Sequence, residues 1–532
     1  MERIRSELDA KLSAACDAES PGVAIVVERN GSECLRLIKG SADIETGVPI
    51  CSHTAFDVGS IAKTVTGLCV ALLEDESQLR LSTSVREFLP ELPGATSCVS
   101  IEHLLRHESG LHDYSTLLYY MAGWHPHAAP TSQEILEVLS RAPGPKWKPG
   151  SRYEYADTNY FLLARAIERV AGEPFGVVAR NRVFEPLGMS DSFMTDGAPP
   201  ENTEMAEGYA AYPIELRSAH SSQGTWDESF YPVGHMYQHT GAEGFRTSVA
   251  DLATLGRELL EPMTIDPSTI ARIGASTRVR EDGLSYGYGL NVGAYLALEF
   301  LGHDGMIQGF TASLSVFPEH DLVIACLTNR EDIGAWTCRN AVLRDVLGAE
   351  SKKEIDRLRV SGPARELYPG FYLCPATSDF IEVVADRGTS RARVNGEDLR
   401  PISFTDCLSG DHTAGPEVIE IECRGEGQRF SHFGATAERS LDEYTGVYRS
   451  EELQTSFTVE ATDAGIRLTN ADSTHPSMNL DYVPTIRDFF WSRHPYPGIS
   501  QLEFLRTDGR VAAFRYRDYD GDGREVFVFR RI

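Results

Sequence analysis

Apolar residues change period several times along this chain. In residues 1–20, Ile4, Leu8 and Leu12 fall at helical spacing, and Pro21-Gly22 ends the pattern. Val23-Ala24-Ile25-Val26-Val27 is a continuous, largely β-branched run, which predicts a buried strand. Asn30-Gly31 is a hairpin signal, and residues 33–39 return as a second strand. Phe56-Asp57-Val58-Gly59 leads into Ser60, and residues 61–73 carry an apolar helical pattern. Residues 101–200 read as mostly helical, with segments at 103–105, 132–139 and 160–171 separated by loops rich in Pro and Gly. Another helix is predicted over 248–260. The period then shortens: residues 286–290, 296–301, 312–317 and 322–327 alternate or run apolar, as successive antiparallel strands do, and 332–347 closes with a helix. Strands at both ends with helices between imply one sheet built from the two ends of a single large domain, about residues 1–350.

From about residue 360 the helical signal stops, and short alternating segments recur to the C-terminus. Glu366-Leu367-Tyr368-Pro369-Gly370-Phe371-Tyr372 is echoed by Asp442-Glu443-Tyr444-Thr445-Gly446-Val447-Tyr448. The repeat predicts two β modules, 360–440 and 441–532, each the size of a small antiparallel barrel.

A chain of 532 residues exceeds one core and suits about two to four domains. Its formal net charge is −28. That opposes nucleic acid or an anionic membrane as partner, since phosphate binding needs a basic face. No run approaches the length of a transmembrane helix. The ten cysteines show no metal-binding or redox spacing, and scattered thiols of this kind suit a reducing compartment. The start of the chain has no apolar signal core, so a cytoplasmic protein is expected. No cofactor and no metal is expected either.

Two short segments carry candidate chemistry. Ser60-Ile61-Ala62-Lys63 puts a hydroxyl and an amine one turn apart on one helix face. A serine needs a base within reach, and a lysine serves as one where a desolvated, electropositive site lowers its pKa. The same four residues also describe an N-cap serine with a surface lysine. Tyr155-Ala156-Asp157 precedes an apolar helix. Tyr155 is a second candidate base, with Lys63 as the cation that would hold it as a phenolate. Otherwise it is a core aromatic beside a helix capped by Asp157 or Thr158. A third segment, Gly302-His303-Asp304-Gly305-Met306, follows a predicted strand. Gly305 would let a substrate backbone lie close to the strand, and the N–H groups of Met306 and Ser60 would form a two-donor oxyanion hole. His303 taken alone reads as a solvated hairpin residue.

In this order and with this sheet–helices–sheet plan, the three segments resemble the serine β-lactamase/penicillin-binding-protein superfamily over about residues 10–350. Leu104-Leu105-Arg106-His107-Glu108-Ser109-Gly110-Leu111, Phe184-Glu185-Pro186-Leu187-Gly188-Met189 and Tyr286-Gly287-Tyr288-Gly289-Leu290 are similar to phrases of its branch holding class C β-lactamases, D-aminopeptidases and related esterases. The resemblance implies an α/β (α+β) fold, an antiparallel sheet flanked by helices, followed by two small antiparallel β-barrels. It implies Ser60 as acylated nucleophile, Lys63 as base, Tyr155 as second acid/base, and His303 at the first position of the family's Lys-Thr-Gly element. Two residues depart from the pattern. Asp157 stands where the family carries Asn, which holds the substrate carbonyl, and His303-Asp304-Gly305 replaces Lys-Thr-Gly. A neutral histidine is a poorer anchor for a carboxylate than lysine. The D-aminopeptidases are similar in total length and in two C-terminal barrels, one of which reaches a loop to the active site.

The expectation is therefore an acyl-serine hydrolase of the D-aminopeptidase or D-amino-acid amidase type. A carboxylesterase or acyltransferase of the same fold, and a silent binding protein, are the alternatives. Its partner would be a small molecule or short peptide, with homodimerisation left open. Asp518-Tyr519-Asp520-Gly521-Asp522-Gly523 imitates the start of a calcium loop, but Phe529 stands at the twelfth position, so a glycine-rich hairpin is expected. His125 and His127 lack a third ligand and read as residues of a pocket mouth.

Overall fold

The computed structural model describes residues 12, 16–121, 130–197, 199–201, 203–210, 230–233, 240–275, 284–295, 298–330 and 333–346. Further on it describes 370–373, 380–386, 389–394, 397–398, 418–423, 426–433, 441–451, 453, 455–462, 465–470, 479–486, 489–493, 499–518 and 525–532. The chain divides into two compact units, one comprising most of the residues up to 348 and the other 349–532 together with 119–126 and 217–221.

The first unit is built on a seven-stranded antiparallel sheet. Its strands are β1 (Val23–Arg29), β2 (Ser32–Lys39), β3 (Leu284–Tyr286), β4 (Asn291–Tyr295), β5 (Leu298–Ile307), β6 (Phe310–Phe317) and β7 (Leu322–Thr328), in the order β3-β4-β5-β6-β7-β1-β2. β1 pairs with β7 from Val23↔Thr328 to Arg29↔Leu322, which joins the start of the chain to residues three hundred positions on. The continuous apolar run of β1 is explained by burial on both faces. Val23, Ile25 and Val27 share a core with Leu322, Ile324 and Cys326 and with Ala335, Cys338, Val342 and Leu343. Those last four belong to helix α4 (Ala335–Val346). On the other face, helix α3 (Val249–Leu260) lies so close to β6 and β7 that a Cβ at Gly256 would meet Val323 and Leu314.

Helix α1 (Ala62–Asp75) is buried almost all round and α2 (Asp157–Ala171) packs beside it. Residues 286–290 continue as a strand only to Tyr286. Beyond it the Gly287 N–H donates to Leu290 O, and the Gly289 carbonyl accepts from Thr64 Oγ1 of α1. The alternation there comes from a turn laid against α1. The helix expected over 1–20 lies mostly outside the described residues; Leu12 is buried in the sheet's core.

In the second unit, a six-stranded antiparallel sheet between Gly370 and Phe433 precedes a closed, antiparallel, eight-stranded barrel from Gly446 to Arg531. The later copy of the repeat is a single helical turn, Leu441–Tyr444, entering the first barrel strand, where Tyr448 Oη donates to Tyr444 O. Tyr368, at the head of the earlier copy, lies outside the described residues, as do residues 519–524 of the calcium-like loop.

Candidate active site

Ser60 sits in a single 3-10 turn, Gly59–Ile61, which runs directly into α1. The turn is held from below. Asp57 Oδ1 accepts from the Gly59 N–H at 3.0 Å, and Asp57 itself pairs with buried Arg246. Strand β5 presses on the turn from the side. A Cβ at Gly305 would lie 1.9 Å from Val58 O and 3.3 Å from Ser60 N. Gly305 is thus required by the approach of the serine turn itself. The expectation that it makes room for a substrate backbone gives way to that tighter neighbour.

Lys63 is fully buried one turn into α1. Its Nζ lies 2.9 Å from Ser60 Oγ, 3.0 Å from the carbonyl of Ala242 and 2.6 Å from Asp157 Oδ1. The amine is desolvated as expected, but the neighbour at its far side is a carboxylate, so the surroundings are not the electropositive ones expected.

Tyr155 reaches the same serine from the segment ahead of α2, donating from its hydroxyl to Ser60 Oγ at 2.9 Å. Burial, and then the charge of Asp157, raise the phenol well above its ordinary pKa, against the opposing effect of the Ser60 hydrogen bond. This reverses the expected phenolate: Lys63 lies over the Tyr155 ring, 4.8 Å from its centroid, but the Asp157 carboxylate stands 2.6 Å from its Nζ, and Tyr155 rests as a neutral donor. Neither Asp157 nor Thr158 caps α2; the cap is Ala156, whose N–H donates to His107 Nδ1 at 3.2 Å. The Asp157 N–H donates to Asp113 Oδ2 at 2.6 Å.

His303 lies within β5, which runs on through Gly302–Met306 instead of ending before it. It is a buried ring, not a solvated hairpin residue. Its Nδ1 is 2.6 Å from the Asp304 carbonyl and its Nε2 is 2.9 Å from Tyr286 Oη. A carbonyl only accepts, so Nδ1 carries a proton, and in the neutral ring Nε2 accepts from Tyr286. Asp304 is bound by Arg339 of α4, whose Nη1 lies 2.8 Å and 3.0 Å from the two carboxylate oxygens. The Met306 amide lies beside the serine turn, since a Cβ at Gly59 would approach Met306 N to 3.1 Å.

Several contributors are not evident from the motifs. Ala242 and Glu243 lie between Gly241 and Gly244, and Gly241 allows the segment to press on α2, where a Cβ would meet Tyr160 O at 2.5 Å. Glu243 is buried, and its charge adds to the rise at Tyr155. His107 stacks on Tyr155 with ring centroids 4.3 Å apart, and Tyr286 packs edge-on to Tyr155, His107 and His303. The paired glycines around Ala242-Glu243 were the available signal. His125 and His127 lie outside the described residues. Among the described residues no group of His, Cys, Asp and Glu could hold a metal, and no helix is long and apolar enough to cross a membrane.

A nucleophile, an amine and a phenol converging on one oxygen at a helix entry, beside an antiparallel sheet edge, define a serine-hydrolase-type enzyme. The family model described as Beta-lactamase matches residues 7–346, and the chain belongs to that beta-lactamase and penicillin-binding-protein-like family. A D-aminopeptidase of Gluconobacter oxydans (strain 621H) is 24% identical over 543 residues, covering 96% of this chain and 97% of its own. Among solved structures, the octameric penicillin-binding protein homologue from Pyrococcus abyssi superposes with a TM-score of 0.56 at 19% identity, covering 99% of both chains. The D-amino acid amidase from Ochrobactrum anthropi SV3, complexed with L-phenylalanine, superposes at 0.54 and 21% identity, covering 66% of this chain and 99% of its own. Both share the fold.

Proposed function

We propose that this chain hydrolyses small amides through an acyl-enzyme on Ser60, with a D-amino-acid amide or the N-terminal residue of a short D-peptide as substrate. The observation that carries the reading is the double hold on Ser60 Oγ, 2.9 Å from both Lys63 Nζ and Tyr155 Oη. In acylation, Ser60 Oγ attacks the carbonyl carbon while its proton passes to Lys63. The carbonyl oxygen takes up the negative charge against the N–H groups of Ser60 and Met306. The carbon–nitrogen bond then breaks, and the leaving nitrogen takes the proton of Tyr155, which Lys63 restores. Water repeats the sequence in reverse and frees Ser60. His303 and Gly305 support the β5 side of the cleft, His303 by fixing Tyr286 and Gly305 by admitting the serine turn. D-stereospecificity comes only from the relatives' names, D-aminopeptidase and D-amino acid amidase.

The test is a paired set of D- and L-amino-acid amides and the matching esters, run on wild type and Ser60→Ala. Turnover of the D-amides should fall by about 10⁴–10⁶ in the alanine variant with the fold intact. Retention of a tenth of the activity would remove Ser60 as nucleophile. Turnover of esters alone would make the chain a carboxylesterase.

A further inference from the structure

We propose that Asp157 acts through Lys63: its carboxylate stabilises the ammonium that forms when Lys63 takes the Ser60 proton. This rests on the reading of Ser60 as nucleophile and Lys63 as base. It gives the aspartate in this chain's Tyr-x-Asp segment a role that a substrate-holding amide at the same position does not have.

The hydrogen-bond inventory around Nζ leads to it. Three acceptor-capable oxygens surround the amine: Ala242 O at 3.0 Å, Asp157 Oδ1 at 2.6 Å and Ser60 Oγ at 2.9 Å. A neutral amine has two N–H groups and one lone pair. The Ala242 carbonyl can only accept and takes one N–H; the Asp157 carboxylate lies against the amine as an ion-pair partner, its Oδ1 making no hydrogen bond in the resting geometry. The lone pair is left for the Ser60 hydroxyl, whose oxygen accepts in turn from Tyr155. When the Ser60 proton crosses, the lone pair becomes a third N–H, directed at the same oxygen, and no heavy atom has to move. One O–H bond breaks, one N–H bond forms, and a positive charge appears 2.6 Å from the Asp157 carboxylate. Lys63 has no solvent exposure, so water cannot supply that stabilisation. The logic matches the carboxylate of a Ser-His-Asp triad, which stabilises the charged base without taking the proton.

Asp157 is poorly suited to the alternative role. An amide would offer an N–H to a substrate carbonyl, whereas a carboxylate has only acceptors. Its Oδ1 is buried against Lys63, and the side chain is only 24% exposed. The backbone holds it in that direction. Ala156 N is bound by His107 and Asp157 N by Asp113, at the first turn of α2.

Other ionisable groups face the same centre and must be carried in any pH argument. Tyr155 and Tyr153 come from the segment before α2, and Glu243 from the segment after Gly241. His107 stacks on Tyr155, Tyr286 closes β3, His303 lies on β5 with its ring 6.4 Å from that of Tyr155, and Asp113 holds the α2 entry. None of these pairs with Nζ; among the charged groups of the described residues Asp157 alone forms an ion pair with it.

Asp157→Asn keeps an acceptor oxygen in place and removes only the charge, which makes it the diagnostic variant. The readout is the second-order rate at which a neutral fluorophosphonate probe labels Ser60, followed by intact mass across the pH range in the full-length protein. Without the neighbouring carboxylate the charged form of the base loses its counter-charge, so the acid limb of the labelling profile should move to lower pH. The plateau rate should fall by roughly 10- to 100-fold, because the ammonium formed during transfer has lost its partner. Asp157→Ala should fall further, since Lys63 also loses the polar oxygen beside it. If wild type labels at Ser60 but the Asp157→Asn profile superposes on it, the proposal is wrong. A change confined to KM for cationic substrates, with the labelling profile unmoved, also overturns it and returns Asp157 to the substrate contacts. Wild type that fails to label at Ser60 removes the underlying nucleophile reading instead, so the two failures are distinct.

Discussion

At the scale of single residues, the charges around Ser60 decide which substrates suit the site. Lys63 is answered by Asp157, and the Glu243 charge also bears on Tyr155. His303, at the position where the family's lysine holds a carboxylate, spends both ring nitrogens on Asp304 O and Tyr286 Oη. Asp304, beside it, is bound by Arg339. A penicillin or cephalosporin brings a carboxylate to this side of the cleft and finds no lysine there. Nitrocefin turnover is therefore expected to lie at least ~10²-fold below turnover of a good amide substrate, the size of effect that follows from losing a charge-assisted contact. Steady-state comparison of the two measures this, and equal kcat/KM values would contradict it.

At the scale of elements, β5 and the Ser60 turn form one unit, because Gly305 and Val58 touch through backbone. Gly305→Ala would place a Cβ 1.9 Å from Val58 O, which only a shift of the turn or the strand can relieve. A misplacement near 1 Å costs on the order of 10² in rate, so the variant should retain its circular dichroism and lose about that factor in Ser60 labelling. The N-terminus of α3 carries a different tension. Asp251 accepts from Asp191 N and Ser192 Oγ at 2.8 Å each, yet burial outweighs both and raises its pKa to about 6. A folded value above the unfolded one means that stability present at low pH is lost as pH rises through about 4 to about 6. Asp251→Asn should therefore gain on wild type between pH 4 and pH 7, by roughly 2–3 kcal/mol at most. Melting midpoints of the two proteins at both pH values test this; a constant difference would exclude it. The elements and the site differ in how far they could be read ahead of the structure. Ser60-x-x-Lys63 was visible because one helical turn sets both directions, and Tyr155-x-Asp157 because it stands directly at the entry of an apolar helix. The Ala242 carbonyl was not, because a tertiary approach between Gly241 and α2 delivers it. The strand expected at 286–290 failed for a related reason: alternation also describes a turn packed against α1. The protonation of Tyr155 differs from the expectation because burial of the phenol, and then the charge of Asp157, raise its pKa, and neither is visible in the motif.

At the scale of the whole molecule, the first unit is complete as a hydrophobic core by the end of α4. β1 and β2 come from residues 23–39 and β3–β7 from residues 284–328, so the sheet closes only when both ends of this unit are present. Ala335, Cys338, Val342 and Leu343 of α4 then cover one face of it. A chain ending at Val346 keeps every strand of that sheet and every residue placed around Ser60. A chain ending before Ala335 exposes Val23, Ile25, Val27, Ile324 and Cys326, which are buried in the full protein. Losing a set of buried side chains of this kind costs several kcal/mol, comparable with the whole stability of a domain. Chains ending at residues 346 and 334 should thus differ sharply: the longer one soluble and labelled at Ser60 by a small probe, the shorter one aggregated or unlabelled. The longer chain also measures what residues 349–532 contribute. Their strands form a sheet and a closed barrel and have no hydrolytic constellation among the described residues, so removing them should leave probe labelling within about 10-fold. If residues 349–532 bear on substrate selection, the ratio of turnover on short against long peptides should change in the 1–346 chain. A soluble 1–346 chain with the same ratio as the full protein would remove that role in selection.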